Sequence, residues 1–526
     1  MEVAACRAFF PGAAAVVSVE SRASLHDAPQ QQGRSRSCSS GAILRNRRVQ
    51  FSNNLEYYSR HGNVSTSRPG HLRILRLDKH CRTSNKFANT LLNFSSCSFS
   101  CSSSRDSRVQ HHNSIIYAGL ATGPGTADES KEADFASALQ KIVNSTTDIG
   151  LSEGTRTVTI TVCGVTSDND LQRLQSQVLD LDGVGHASLG PFKEGGLRGG
   201  SVTMQIEVER RLPLSMLIQS IQALDEALLI LPFKTNSWLW RGNKINYSVA
   251  GSGKPLILVH GFGGNVGHFA RLIPFVAENY RVYAIDLLGF GASDKPTNVE
   301  YGPELWADLV CDFSEEFTKE GAVLFGNSIG SLTVLAAAAK AGSDLFKGIV
   351  LLNCAGAMNR KGLAQDGLAL QLVGPIFAVV EYLLKKRKIA NFLFNRFRSK
   401  ENVKTILTQQ AYRDKAAVTD NLVDILHHPS TDEGALDVFV KVFTGEPGPR
   451  PEALMANIDL PLLLLWGEKD PWTPANGPVA KFFMKLAGER DNLFVETLPD
   501  VGHCPHDDRP ELAAGRILHF LNTFGL

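Results

Sequence analysis

The run Gly326-Asn327-Ser328-Ile329-Gly330 lies between the apolar stretch Ala322–Phe325 and the alanine-rich stretch Leu332–Ala341. An apolar run of strand length, a glycine-bracketed turn and a helical run in immediate succession leave few local folds open. A strand must pass into a helix through one tight turn, with no room for a Cβ on either side of the central serine. Ser328 would then stand at the head of the helix with its hydroxyl exposed and the Ile329 N–H aimed at the same point.

The surrounding pattern supports a sheet of such strand–helix units. From Trp238 onward, buried-type strands at Leu256–Val259, Val282–Ile285, Val323–Phe325, Ile349–Leu352 and Leu462–Trp466 alternate with helical stretches, and a short strand at Leu493–Glu496 completes the set. Strands this uniformly apolar belong to a parallel sheet covered on both faces. About a hundred residues separate Ile349–Leu352 from Leu462–Trp466, too many for one crossover, so an inserted cap is expected at about 357–450.

Three segments carry matching chemistry. His260-Gly261-Phe262-Gly263-Gly264 follows the first strong strand, and its glycines let the Phe262 N–H turn inward as the second half of an oxyanion hole. His260 itself reads as a histidine that orders this loop. Leu465-Trp466-Gly467-Glu468-Lys469-Asp470 brings carboxylates to a strand end, and Val501-Gly502-His503 follows another turn. A serine hydroxyl is a weak nucleophile until an imidazole takes its proton, and the imidazole needs a carboxylate to hold its tautomer.

With Asp286-Leu287-Leu288-Gly289-Phe290-Gly291-Ala292-Ser293-Asp294 and His503-Cys504-Pro505-His506-Asp507, these segments make residues 238–526 resemble the α/β-hydrolase superfamily with a cap. The chain order Ser, Asp, His is that family's order. The resemblance implies Ser328 as nucleophile, His503 as general base and acid, Asp470 as the orienting carboxylate rather than Glu468, and the N–H groups of Phe262 and Ile329 as the oxyanion hole. Serine at the elbow sets the chain apart from epoxide hydrolases and haloalkane dehalogenases, which place Asp there, and leaves acyl transfer. Ser331 stands where many relatives have a second glycine, and little effect is expected of it. Asp286 and Asp294 read as structural, and His427, His428 and His506 as surface or packing residues. No metal and no cofactor is called for.

Ahead of this region the character differs. Residues 1–110 hold 16 Lys/Arg against 6 Asp/Glu and 20 Ser, whereas the remainder holds 38 against 47. An Arg- and Ser-rich, acid-poor leader resembles an organelle transit peptide, with a disordered basic tail as the other reading. An acidic body of this kind has no reason to seek nucleic acid. Five of the nine cysteines (Cys6, Cys38, Cys81, Cys97, Cys101) fall in the leader. The remaining four, Cys163, Cys311, Cys354 and Cys504, have neither disulfide nor zinc spacing. Residues 111–154 read as a linker with one short helix.

At 155–233 the order β-α-β-β-α suggests a ferredoxin-like domain, and Leu181-Asp182-Gly183-Val184 resembles a heavy-metal-associated domain. Its first loop, Cys163-Gly164-Val165-Thr166-Ser167-Asp168, lacks the family's second Cys, so the metal role is absent and a docking or structural one remains.

The expected architecture is thus an α/β-hydrolase domain over 235–526, preceded by a small ferredoxin-like α+β domain and a disordered transit peptide. With that leader, the pattern is similar to plant chloroplast hydrolases, including chlorophyll dephytylases and pheophytinases. That resemblance implies a plastid serine esterase for a bulky lipophilic ester, the phytyl ester of chlorophyll or pheophytin being the specific case. A plastid lipid acyl-ester hydrolase and a non-catalytic scaffold are the alternatives. The stretch Gly367–Leu384, followed by Lys385-Lys386-Arg387-Lys388, is too polar and broken for a membrane span. It reads either as a lid on an anionic thylakoid or envelope surface or as an ordinary cap helix. The triad is expected to lie outside the cap, so that reversing two of these lysines would leave hydrolysis of a small soluble ester little affected.

Overall fold

Strand residues that alternate between two apolar environments dictate the larger half of the molecule. A computed structural model describes residues 154–195, 197–359 and 374–526. The leader expected over 1–110, all but the last residue of the expected linker, and residues 367–373 of the apolar cap stretch lie outside these.

Residues 155–231 form β1 (Thr155–Cys163), α1 (Asp168–Leu179), β2 (Val184–Leu189), β3 (Lys193–Glu194), β4 (Gly200–Glu209), α2 (Leu214–Leu224) and β5 (Leu229–Leu231). The antiparallel sheet runs β2-β4-β1-β5, with β3 added beside β4. Ile160 pairs with Met204 and Val158 with Ile206, so the period-2 apolar residues of both strands bury on one face. Ser167 caps α1 by accepting the Asp170 N–H, and Leu171, Leu174 and Val178 cover that face. This core is continuous with Phe233, Phe269, Leu272 and Ile273 of the following region, and Arg156 forms an ion pair with Glu278 there.

The second sheet has eight strands in the order β13-β12-β11-β10-β8-β9-β7-β6. They are β6 (Lys234–Trp240), β7 (Asn243–Ala250), β8 (Lys254–Val259), β9 (Tyr280–Ile285), β10 (Ala322–Asn327), β11 (Phe346–Leu352), β12 (Leu462–Gly467) and β13 (Leu493–Leu498). β8 to β13 are parallel, whereas β7 runs antiparallel to β9, and β6 antiparallel to β7. The edge strand β6 and its neighbour β7 were not read from sequence, because KTNSWLW and NKINYSVA are half exposed and mix polar with apolar residues. In the central strands alternate side chains enter opposite cores. Leu258, Phe325 and Leu465 meet Ile517 and Leu521 of α11 (Pro510–Phe524). Val259, Leu324 and Leu464 meet Trp306 and Phe313 of α3 (Pro303–Phe317), Val334 of α4 (Ile329–Leu345) and Phe483 of α10 (Pro478–Ala487). Burial on both faces is why these strands are apolar throughout.

Between β11 and β12 the chain leaves the sheet for α5 (Gly374–Leu384), α6 (Arg387–Arg398), α7 (Lys400–Ile406), a π-helical turn (Leu407–Ala411), α8 (Asp420–His427) and α9 (Ala435–Thr444). Among the described residues no helix is long and apolar enough to cross a membrane.

Candidate active site

Ser328 follows the last residue of β10 and precedes α4, with φ 57° and ψ −119°. A non-glycine residue adopts such a conformation only where its surroundings force it. The forcing contacts are backbone to backbone. A Cβ on Gly330 would lie 2.3 Å from the Val259 carbonyl oxygen, and one on Gly326 would lie 2.4 Å from that of Gly330. Helix and strand therefore approach too closely for any side chain at either position. Ser331 adds a tie, since its hydroxyl donates to the Gly326 carbonyl at 2.6 Å across the turn.

The loops after β8, β12 and β13 bring the other residues to the same end of the sheet, the carboxyl edge at which open α/β sheets place their ligands. His503 Nδ1 lies 2.7 Å from Asp470 Oδ2, and both residues are buried. Asp470 also accepts the Trp472 N–H at 2.8 Å, the Asn353 amide at 2.6 Å and the Thr473 hydroxyl. Burial alone would raise its pKa. The His503 charge and these hydrogen bonds outweigh burial and hold it at about 2. With Nδ1 so engaged, His503 Nε2 is buried and has no hydrogen-bond partner in the structure. Ser328 and His503 line one cavity, together with Phe262. Ile329 is the first residue of α4, so its N–H has no acceptor within that helix. An imidazole with a free nitrogen, a carboxylate fixing the other, and a strained serine lining the same cavity are the parts that nucleophilic acyl transfer requires.

His260 is fully buried and turned away from this chemistry. Its Nε2 accepts the Leu287 N–H at 3.1 Å, so Nδ1 carries the proton and donates to the Gly261 carbonyl at 2.8 Å. Burial pushes its pKa down, against the charge of Asp286. Asp286 accepts from the Val266 and Ala292 N–H groups and the Asn246 amide, bracing the loops beneath the site. Asp294 accepts the Lys244 N–H. Glu468 is exposed and holds Lys469 and the Asp500 N–H. His506 is buried packing, and His427 holds the Arg398 carbonyl. Among the described residues no group of His, Cys, Asp and Glu could hold a metal ion.

Two supports were not read from sequence. Asn327 donates to the carbonyls of Leu352 and His503, both at 3.1 Å, and so ties the serine turn to the histidine loop. Asn353, at φ 49°, donates to Asp470 and accepts the Gly467 N–H at 3.1 Å. An Asn closing an apolar strand was the available signal for the second, since Asn tolerates left-handed geometry.

Ser328, Asp470 and His503 lie outside the inserted cap, but the cap reaches the histidine loop. The His503 N–H donates to the carbonyl of Ala411, the last residue of the cap's π-helical turn, at 2.7 Å. Asp508 accepts the N–H groups of Gly502, Arg413 and Asp414. Backbone hydrogen bonds of this kind have no sequence signature, so the pattern of residue types could not reveal them.

The cavity has a volume of about 180 Å³. Its wall is largely apolar and includes an aromatic cluster: Phe262 packs edge-on against Phe290 and Phe443, and Phe439 packs against Phe443 and Phe397. Lys295 and Arg398 also line it, but Lys295 is paired with Asp432 at 2.8 Å and Arg398 donates to the Ser430 carbonyl.

A model of the alpha/beta hydrolase family matches residues 256–516. The chain is 27% identical over 266 residues to the uncharacterized hydrolase YugF of Bacillus subtilis, spanning 51% of this chain and 89% of that protein. It is 29% identical over 290 residues to 2-hydroxy-6-oxo-6-(2'-aminophenyl)hexa-2,4-dienoic acid hydrolase of Metapseudomonas resinovorans, spanning 53% and 88%. It is 25% identical over 312 residues to the chloroplastic pheophytinase of Arabidopsis thaliana, spanning 51% and 62%.

Proposed function

This chain belongs to the alpha/beta hydrolase superfamily, and from that premise we propose that it is a serine hydrolase of carboxylic esters carrying a bulky lipophilic group. The observation that carries this reading is the strained Ser328 in an aromatic-lined cavity beside the His503–Asp470 pair.

Ser328 Oγ attacks the ester carbonyl while His503 Nε2 takes its proton. The N–H groups of Phe262 and Ile329 hold the oxyanion that develops. His503 returns the proton to the leaving alcohol, giving the acyl-enzyme. A water molecule then repeats the sequence, losing its proton to His503 and releasing the acid and free Ser328. Asp470 stays ionised throughout and stabilises the imidazolium.

The lipophilic choice rests on the cavity wall, since apolar surface selects apolar ligand parts. A plastid location and a phytyl ester of a chlorophyll-type pigment are supported by the composition of residues 1–110 and by similarity to a chloroplastic pheophytinase. Residues 155–233 are read as a ferredoxin-like domain without metal, in a docking or structural role. The test uses the full chain and a fluorophosphonate probe, followed by incubation with plastid pigment and lipid extract. Labelling at Ser328 and loss of a phytyl ester are expected. Loss of acyl lipids instead would assign a lipase, and no labelling of the folded protein would overturn the enzyme reading in favour of a scaffold.

A further inference from the structure

Helix α6 has two faces with opposite surroundings. Ala390 and Phe394 are buried on one, and Phe394, Phe397 and Arg398 line the cavity that holds Ser328. Lys388, Phe392 and Arg396 are spaced by four residues and form a stripe along another face, where all three are exposed. Phe392 is 68% exposed, and Val379 and Tyr382 of the neighbouring α5 are 57% and 60% exposed. Three large apolar side chains are thus exposed within two adjacent helices.

The charges around them have one sign. Glu381 is the only acid in α5 and α6, and it is paired with Lys385 at 2.9 Å. Arg387 is paired with Asp437 at 2.8 Å. Among the described residues Lys386, Lys388 and Arg396 have no acidic partner, and Lys386 lies 4.8 Å above the Tyr382 ring. Aromatic rings beside unpaired cations complement the interface of an anionic bilayer, where rings enter at headgroup depth and cations meet lipid charge.

We infer that the outer face of α5 and α6 docks on an anionic lipid surface through Val379, Tyr382 and Phe392, with Lys386, Lys388 and Arg396 on the headgroups. The same α6 then carries membrane contact on one side and cavity wall on the other, so a lipophilic ester passes from bilayer to Ser328 along the helix that separates them. This deepens the lipophilic-ester reading and rests on it for its purpose, but its test does not require hydrolysis.

The experiment measures co-sedimentation of full-length Ser328→Ala protein with phosphatidylcholine vesicles, with and without phosphatidylglycerol. Binding is expected to require phosphatidylglycerol and to fall at high salt. The Lys388→Gln/Arg396→Gln pair should weaken it by roughly fivefold for each cation removed. Phe392→Ser should weaken it on both salt settings while leaving thermal stability nearly unchanged, because the ring is already in water. Equal binding to both vesicle types, or binding indifferent to these substitutions, would overturn the proposal. So would a large loss of thermal stability in Phe392→Ser, which would mean that another part of this chain covers the ring. A dimer that Phe392→Ser dissociates, without vesicle binding, would assign the face to a second copy instead. Failure of vesicle binding leaves fluorophosphonate labelling untouched, so the two readings fail separately.

Discussion

The Tyr412 hydroxyl donates to Asp507 Oδ2 at 2.8 Å, joining the end of the cap's π-helical segment to the loop that carries His503 through a fully buried carboxyl. On its other side Tyr412 lies 2.8 Å from Nε2 of His268, which burial holds neutral by pushing its pKa down to about 3. Single-turn π-helices are frequent at functional positions, and here the turn delivers Ala411 and Tyr412 to one loop. The histidine loop thus rests on the cap as much as on the sheet.

That carboxyl makes a pH prediction. Burial raises the Asp507 pKa to about 6, with Asp508 adding to the rise and Arg271 and Tyr412 opposing it. A carboxyl whose folded pKa lies above its unfolded value near 3.8 favours the folded state at low pH, and this contribution is lost as pH rises from about 4 through about 6. Asp507→Asn should gain on the wild type over that window by about 3 kcal/mol in urea unfolding. The depressed Asp470 has the opposite sign, but its window, about 2 to 3.8, lies lower. A pH-independent difference between variant and wild type would show that Asp507 is not the titrating group.

For the chemistry, Ser328→Ala and His503→Ala should each lower kcat by on the order of 10⁴-fold, and the double variant should be little worse, because the residues act as a unit. Asp470→Asn should lose somewhat less. Near-normal turnover in either of the first two, on the ester identified above, would remove the assignment.

Asn353 is predicted to act through Asp470. Asn353→Gly keeps the left-handed backbone and deletes the amide, leaving a buried carboxylate one donor short. Such a loss costs about 1–3 kcal/mol, so kcat should fall roughly tenfold to hundredfold with KM nearly unchanged. A change in KM alone would mean that the residue shapes the cavity rather than the carboxylate.

Arg198 links the domain at 155–231 to the cap. From a left-handed backbone (φ 58°) its guanidinium reaches Asp424 at 3.2 Å, Asn421, and the Ala227 carbonyl at 2.6 Å. Asp424 and Asn421 belong to α8, which also places Leu426 on the cavity wall. Arg198→Ala should therefore raise KM for bulky esters several-fold while sparing kcat on a short soluble ester. Identical kinetics on both substrates would leave the link purely structural.

Much of the architecture was legible because the central strands are buried on both faces. Leu256–Val259 and Leu462–Trp466 could only be apolar, and runs of that kind bounded by glycines announce themselves. The half-exposed β6 and β7 carry no such pattern and were missed. The elbow was legible because packing forbids a Cβ at Gly326 and Gly330, a constraint that writes itself directly into residue type. Asp470 and His503 stood out through their strand-end positions and their order after Ser328.

What residue types alone determined is therefore the set of groups and the strands that present them: Ser328, Asp470 and His503, each after an apolar run. Tertiary structure decided how those groups are held. The His503 N–H on the Ala411 carbonyl, the Arg413 and Asp414 N–H groups on Asp508, the Asn353 amide on Asp470 and Arg198 on α8 all join segments far apart in the chain. Backbone groups are identical at every non-proline residue, and one polar side chain can satisfy any nearby partner. Their pairing is set by which loops the folded sheet and cap bring together, and no local spacing encodes it.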